Sequence, residues 1–183
     1  MDRRQRKTRE AIFSAFSSLA AEKDFMHITV GEIIERADVG RATFYAHFET
    51  KEFLLREFCH ELFCHIFDTA EENCSHRHIF DCCAEDKVFL HLFRHLMQND
   101  NNILTLLFSE NNELFIAYFK RELEALVLRS TFEIKFDKEA AVPQELWKSY
   151  VVSAFTETLR FWYDGGRKDS PETVYRYFIK LIQ

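Results

Sequence analysis

Apolar residues recur at helical spacing along most of the chain. Ile12, Ala15, Phe16 and Leu19 predict a first helix from about Arg4 to Ala21, which Lys23-Asp24 ends. Thr29 then opens a short helix. Glu32 stands three residues on, the spacing of a capping box, in which hydroxyl and carboxylate each satisfy one orphan backbone N–H. Val30, Ile33, Ile34 and Ala37 form its apolar stripe, and Asp38-Val39-Gly40 breaks the pattern. A second short helix covers about Arg41 to His47, with Phe44 and Phe48 pointing inward. Lys51 begins a long amphipathic helix through about Asn73, carried by Leu55, Phe58, Leu62 and Ile66.

Further helices are expected at about 78–83, 86–99, 101–108, 111–132, 144–164 and 171–182, with a loop rather than a strand from Glu133 to Val142. Pro143 suits a helix first turn, Gly165-Gly166 a helix end and Ser170-Pro171 the next start. The chain has 183 residues with only 2 Pro and 4 Gly. So few breakers fit an all-α protein: a small head over 1–50 on a helical body over 51–183.

Charge sharpens this division. The formal net charge is -6, unlike that of a nucleic-acid binder. Yet Arg3, Arg4, Arg6, Lys7 and Arg9 face only Asp2 in the first nine residues, and the acidic excess lies beyond residue 56. A basic arm on an acidic body fits contact with phosphate at one end only. Arg3 and Arg6 are candidates for that contact; the alternative is an ordinary solvated helix start. No apolar run approaches the ~18 residues a membrane span needs. Five Cys, an odd count with no signal peptide, suggest reduced thiols in a cytoplasmic protein.

Two short helices joined by a tight turn leave the second exposed. Inward residues Val30, Ile33, Ile34, Ala37, Val39 and Phe44 leave Arg41, Ala42, Thr43, Tyr45 and His47 on the outer face. Arg can pair with guanine edges, Thr can meet a thymine methyl, Tyr can reach phosphate, and the small Ala42 permits close approach. At Lys51, ammonium and backbone N–H groups at a helix start both favour phosphate.

The run from Ile28 to Leu55, above all Thr43-Phe44-Tyr45-Ala46-His47-Phe48 followed by Lys51-Glu52-Phe53-Leu54, resembles the DNA-binding head of the TetR/AcrR family. The resemblance is strong over about residues 5–60. It implies that Thr29, Tyr45 and Lys51 hold phosphate while Arg41, Thr43 and His47 lie at or near base edges. There are two departures. Asp38 stands where the family often has Gly, and Asp visits the left-handed region at modest cost. Gly40 stands where Ser or Thr commonly caps the recognition helix, and it supplies no side-chain acceptor.

One recognition helix reads only a few base pairs, so specific binding calls for a two-fold homodimer on a palindromic operator in double-stranded DNA. Trp147, Val151, Phe155, Thr158 and Trp162 on one helix and Val174, Tyr175, Phe178 and Leu181 on the last are the candidate interface. Tyr150, Leu159 and Phe161 extend the apolar arc. The resemblance implies a four-helix interface from these two helices; the alternative is that both pack within their own subunit.

Phe89, Phe93, Leu96, Leu104, Phe108, Phe115 and Phe119 form an aromatic and aliphatic group in the body. Such a stripe is ordinarily core. The resemblance implies a pocket there for a small-molecule effector, whose identity is not written in the sequence, and hence a repressor released by its ligand. The alternatives are a protein-binding co-regulator that keeps the fold, or a metal or thiol sensor. For the sensor, His91 and His95, Cys59 with His60, Cys64 with His65, and the adjacent Cys82 and Cys83 offer donors. No Cys-x-x-Cys or His-Glu-x-x-His spacing occurs, so no metal or cofactor is assigned. No Gly-rich phosphate loop, nucleophile elbow or convincing carboxylate pair marks an enzyme.

Overall fold

The computed structural model describes residues 3–70, 87–98, 101–108, 113–129 and 142–183. The helix expected at 78–83, the loop expected from Glu133 and the Cys82–Cys83 pair lie outside the described residues. Those described are helical and contain no strand: α1 (Arg3–Glu22), a 3-10 turn (Phe25–His27), α2 (Val30–Arg36), α3 (Arg41–His47), α4 (Lys51–Ala70), α5 (Val88–Gln98), α6 (Asn101–Phe108), α7 (Glu113–Arg129), α8 (Gln144–Asp164) and α9 (Pro171–Ile182). The all-α expectation holds for them.

The chain forms two compact units: residues 1–62 with 100–118, and residues 63–99 with 119–183. In the first, α2 and α6 pack on α1, and α3 packs on α2. Ile12, Phe16, Ile33, Phe44, Phe48, Leu54 and Leu55 are fully buried. The core is built from rings. Phe13 lies 5.4 Å from Phe48 and 5.7 Å from Phe58, and Phe16 stands edge-on to Phe58 at 5.4 Å and to Phe25 at 6.1 Å. Edge-to-face contacts of this kind add to what area burial alone supplies.

In the second unit, α9 packs on α5 and α8. Phe155 of α8 is its centre, 4.7 Å from Phe93, 5.7 Å from Phe89, 5.3 Å from Phe178 and 6.5 Å from Phe119. Trp162 lies edge-on to Phe93 at 6.2 Å, and its Nε1 donates to the carbonyl of Asp169 at 2.9 Å. That bond satisfies the one polar atom the indole brings into the core. Gly165 ends α8, Gly166 takes φ 73°, and Ser170 caps α9 with Pro171 in its first turn.

Candidate DNA-reading face

The reading element is held by chemistry that is mostly local. Thr29 caps α2: its hydroxyl accepts from the Glu32 N–H at 3.3 Å, and its own N–H donates to Glu32 Oε2 at 2.9 Å. The reciprocal box is complete. Lys23 also donates to Glu32, and that bond, with those from Thr29, draws the Glu32 carboxyl down to about 2. At the other end of α2, Arg36 grips both oxygens of Glu22 on α1 at 2.6 and 2.9 Å and also reaches Ser18 at 3.0 Å. The fork lowers the Glu22 carboxyl and raises Arg36, the side-chain hydrogen bond being the main cause in each.

The turn between α2 and α3 uses Asp38 at φ 51°, in the left-handed region, as the sequence departure requires. Gly40 caps α3 in extended conformation and gives no side-chain hydrogen bond. Phe44 is wholly buried, its ring tilted against that of Phe48 5.9 Å away. It fixes the rotation of α3. Arg41, Ala42, Thr43 and Tyr45 therefore face outward and are exposed, as is Thr29, while His47 is half-buried beside Phe48. Ala46 is also exposed on α3 and is not among the residues expected on the outer face. The Tyr45 ring stands edge-on to Phe44 at 5.4 Å and remains exposed.

Of the basic arm, Arg3 is exposed, and Arg6 pairs with Glu10 one turn on at 3.5 Å. Arg9 is different. It donates to Glu57 at 2.9 Å and Glu61 at 3.3 Å on α4, and its guanidinium lies over both Phe13 and Phe48, 4.9 and 5.0 Å from their centroids. The arm's last cation thus ties α1 to α4.

Lys51 departs from expectation. Its ammonium does not point outward to a phosphate. It donates to the carbonyls of Phe25 and Ile28, each at 2.9 Å, and to that of Met26 at 3.4 Å, and it lies 4.4 Å from the centre of the Phe25 ring. Burial pushes its pKa down, partly offset by Glu52. The start of α4 is capped instead by Thr50, whose hydroxyl accepts from the Phe53 N–H at 3.0 Å.

The expected interface and pocket residues are redistributed. Val151, Phe155, Thr158, Trp162, Val174 and Phe178 are buried in the core of their own unit, so their apolar spacing marks that core and not a surface left for a partner. Trp147 and Tyr175 are half-buried, and only Leu181 is well exposed. The open apolar surface of α8 and α9 is another arc: Leu146, Tyr150, Phe161, Tyr177 and Leu181. Phe161, Tyr177 and Leu181 surround an open groove with Glu157 and Lys180 at its edge.

The expected pocket residues divide between the units. Phe89, Phe93, Leu96 and Phe119 are buried in the second, Leu104 and Phe115 are buried in the first, and Phe108 of the first is half-buried. The rings of Phe89 and Phe93 touch Phe155 and Phe178 directly, so residues assigned by sequence to pocket and to interface form one aromatic cluster. His91 and His95 are buried and stacked at 4.7 Å, and no group of three or more metal-ligating side chains occurs among the described residues. No helix among them is long and apolar enough to cross a membrane.

A short exposed helix, rotated into place by one buried ring and packed on α2, is the arrangement of a helix-turn-helix regulator of transcription. Residues 11–58 match the bacterial regulatory proteins of the tetR family, and residues 85–183 match a transcriptional regulator C-terminal region. The chain belongs to the TetR family of transcriptional regulators.

Relatives agree with this. A TetR transcriptional regulator from Streptococcus agalactiae 2603V is 34% identical, with a TM-score of 0.74 over 100% of this chain and 97% of that one. The HTH-type transcriptional regulator YxbF of Bacillus subtilis is 26% identical over 100% of this chain and 46% of its own length. An HTH-type transcriptional regulator of Haemophilus influenzae is 32% identical over 52% of this chain and 48% of its length. The chain spans about half the length of these curated relatives. The fatty acid degradation regulator FadR of Bacillus halodurans shares the fold alone, at 16% identity and a TM-score of 0.63 over 100% of this chain and 95% of that one.

Proposed function

We propose that this regulator is a repressor that binds a palindromic operator as a homodimer and is released from it by a small-molecule effector. The observation that carries the reading is the outward row on α3, Arg41, Ala42, Thr43 and Tyr45, turned to solvent by the buried Phe44 between them. Arg41 and Thr43, with His47 at the helix end, read base edges; Tyr45 and Thr29 hold phosphate, and the exposed Arg3 and its neighbour Arg6 add charge on the arm. Residues 1–50 are the reading domain and 51–183 the regulatory one, acting in the cytoplasm where the DNA is.

Support for the dimer is the exposed stripe of Leu146, Tyr150, Phe161, Tyr177 and Leu181, apolar surface that a second copy would cover. Support for an apolar effector is the ring content of the second unit, with Phe89, Phe93, Leu96 and Phe119 as candidates to line its site. An effector acts only through its different affinity for the DNA-binding and released arrangements. Selection from a random-sequence duplex pool tests the reading. An enriched two-fold symmetric site is expected; a pool with no enriched site sinks it.

A further inference from the structure

We propose that Lys51 serves DNA reading through the protein's own backbone: its half-buried ammonium is a clasp that fixes the two ends of the helix-turn-helix, not a ligand for phosphate. This rests on the chain being a DNA-binding regulator.

An ammonium has three N–H donors and no acceptor. Here all three have carbonyls within reach, those of Phe25, Met26 and Ile28, and the cation also lies over the Phe25 ring. Phe25 and Ile28 are themselves buried, 5% and 1% exposed. Turning the side chain out to a phosphate would take a charged donor from three carbonyls at once, those of Phe25 and Ile28 in partly buried bonds, although that of Phe25 would keep the Ile28 N–H at 3.1 Å.

The position of the clasp gives it a function. The helix-turn-helix occupies the chain between these carbonyls and Lys51. Its two helices have 7 residues each, too short to be stable alone, and each contributes one fully buried side chain, Ile33 and Phe44. With Phe44 setting the rotation of α3 and the Arg36–Glu22 fork tying α2 to α1, the remaining constraint on their placement is how the segment's ends are held. At the far end Phe48 is fixed against Phe13 and beneath Arg9. At the near end the clasp holds the backbone just before the Thr29 cap. Lys51 is thus a positioning residue: it sets where α2 begins relative to where α4 begins, and α3 is carried between them.

Four versions of the full chain test this, using the duplex recovered by selection: the wild type, Lys51→Met, Lys51→Arg and Lys51→Gln. A clasp predicts that Lys51→Met weakens binding about tenfold or more with an unchanged salt slope. It predicts that Lys51→Arg fails to restore affinity, because a planar guanidinium cannot converge on three carbonyls as a compact ammonium does. It also predicts that amide exchange in α2 of the Met variant is faster than in α2 of the wild type while that in α1 is unchanged, a readout that needs no DNA. Lys51→Gln keeps N–H donors without charge, so it should bind better than Met with the wild-type slope; it also serves if the Met variant fails to fold.

A phosphate ligand gives the opposite pattern. Lys51→Arg would match the wild type, and Met and Gln alike would make the slope shallower by about 1.8, since each of the two subunits loses one phosphate contact. That pattern, or unchanged exchange in α2, overturns the clasp. Binding of no duplex by the wild type would instead remove the DNA-binding reading, and the clasp's role with it.

Discussion

The Phe161 ring of α8 meets the Tyr177 ring of α9 edge-on at 6.4 Å, and both rings lie at the protein surface, 63% and 41% exposed. Two adjoining aromatic side chains beside an exposed Leu181 are apolar surface that association would remove from water, at roughly 25 cal/mol per Å². Phe161→Glu is expected to raise the dimer dissociation constant by about a hundredfold, a loss on the order of 3 kcal/mol typical of a central interface residue. Sedimentation over a concentration series reads it directly. Phe155→Ala should act differently, leaving the surface intact and costing about 3–5 kcal/mol of unfolding free energy through the cavity it opens. If Phe161→Glu sediments as the wild type does, the α8–α9 face is not the interface.

Acid should loosen α2 before the rest of its unit. The Glu32 carboxyl titrates at about 2 in the folded chain, against an ordinary 4.5, chiefly because of the Lys23 and Thr29 hydrogen bonds. A lowered value means that the stabilisation is complete above about 4.5 and fades as pH falls toward 2. Glu22, lowered by Arg36, adds in the same direction. Urea unfolding of wild type and Glu32→Gln should therefore show a gap at neutral pH that narrows below 4.5. A gap constant down to pH ~3 would be inconsistent with charge in the capping box. Thr29→Ala should cost about 1 kcal/mol, the usual effect of losing a cap.

At Asp38 the backbone has φ 51°, where a residue with a Cβ carries steric strain. Asp38→Gly should raise stability by about 0.5–1 kcal/mol, and Asp38→Val should lower it by more, since branching at Cβ worsens the clash. The urea midpoint at constant slope reports both. Stabilisation by the valine would show that the turn is not under this strain.

Arg41 and Tyr45 should separate in binding assays. Arg41→Ala is expected to relax preference at one base position by about 1–3 kcal/mol, while Tyr45→Ala weakens all duplexes alike. Equal loss on every sequence from Arg41→Ala would assign that side chain to phosphate.

What could be read in advance from the sequence was the local chemistry. The Thr29–Glu32 box, the left-handed Asp38, the uncapped Gly40 and the Ser170–Pro171 start each depend on residues within three positions of one another, where spacing specifies geometry. Partnership at long range was not legible. Lys51 at a helix start looks like a phosphate ligand until Phe25 and Ile28, more than twenty residues earlier, are seen to hold it. Likewise the spacing of Phe155 and Phe178 shows that they are buried but not against what. The answer, Phe89 and Phe93, lies on a helix some sixty residues before Phe155.

The acceptors of Lys51 are main-chain carbonyls, and this has a consequence for exchanging specificities between regulators. A carbonyl is present whatever side chain stands at its residue, so the fastening does not depend on the identities of Phe25, Met26 or Ile28 as hydrogen-bond partners. The exposed residues of α3 can then be swapped as a cassette, leaving Ile33, Phe44 and Phe48 in place. The transplant would arrive at the right angle without redesign of its surroundings.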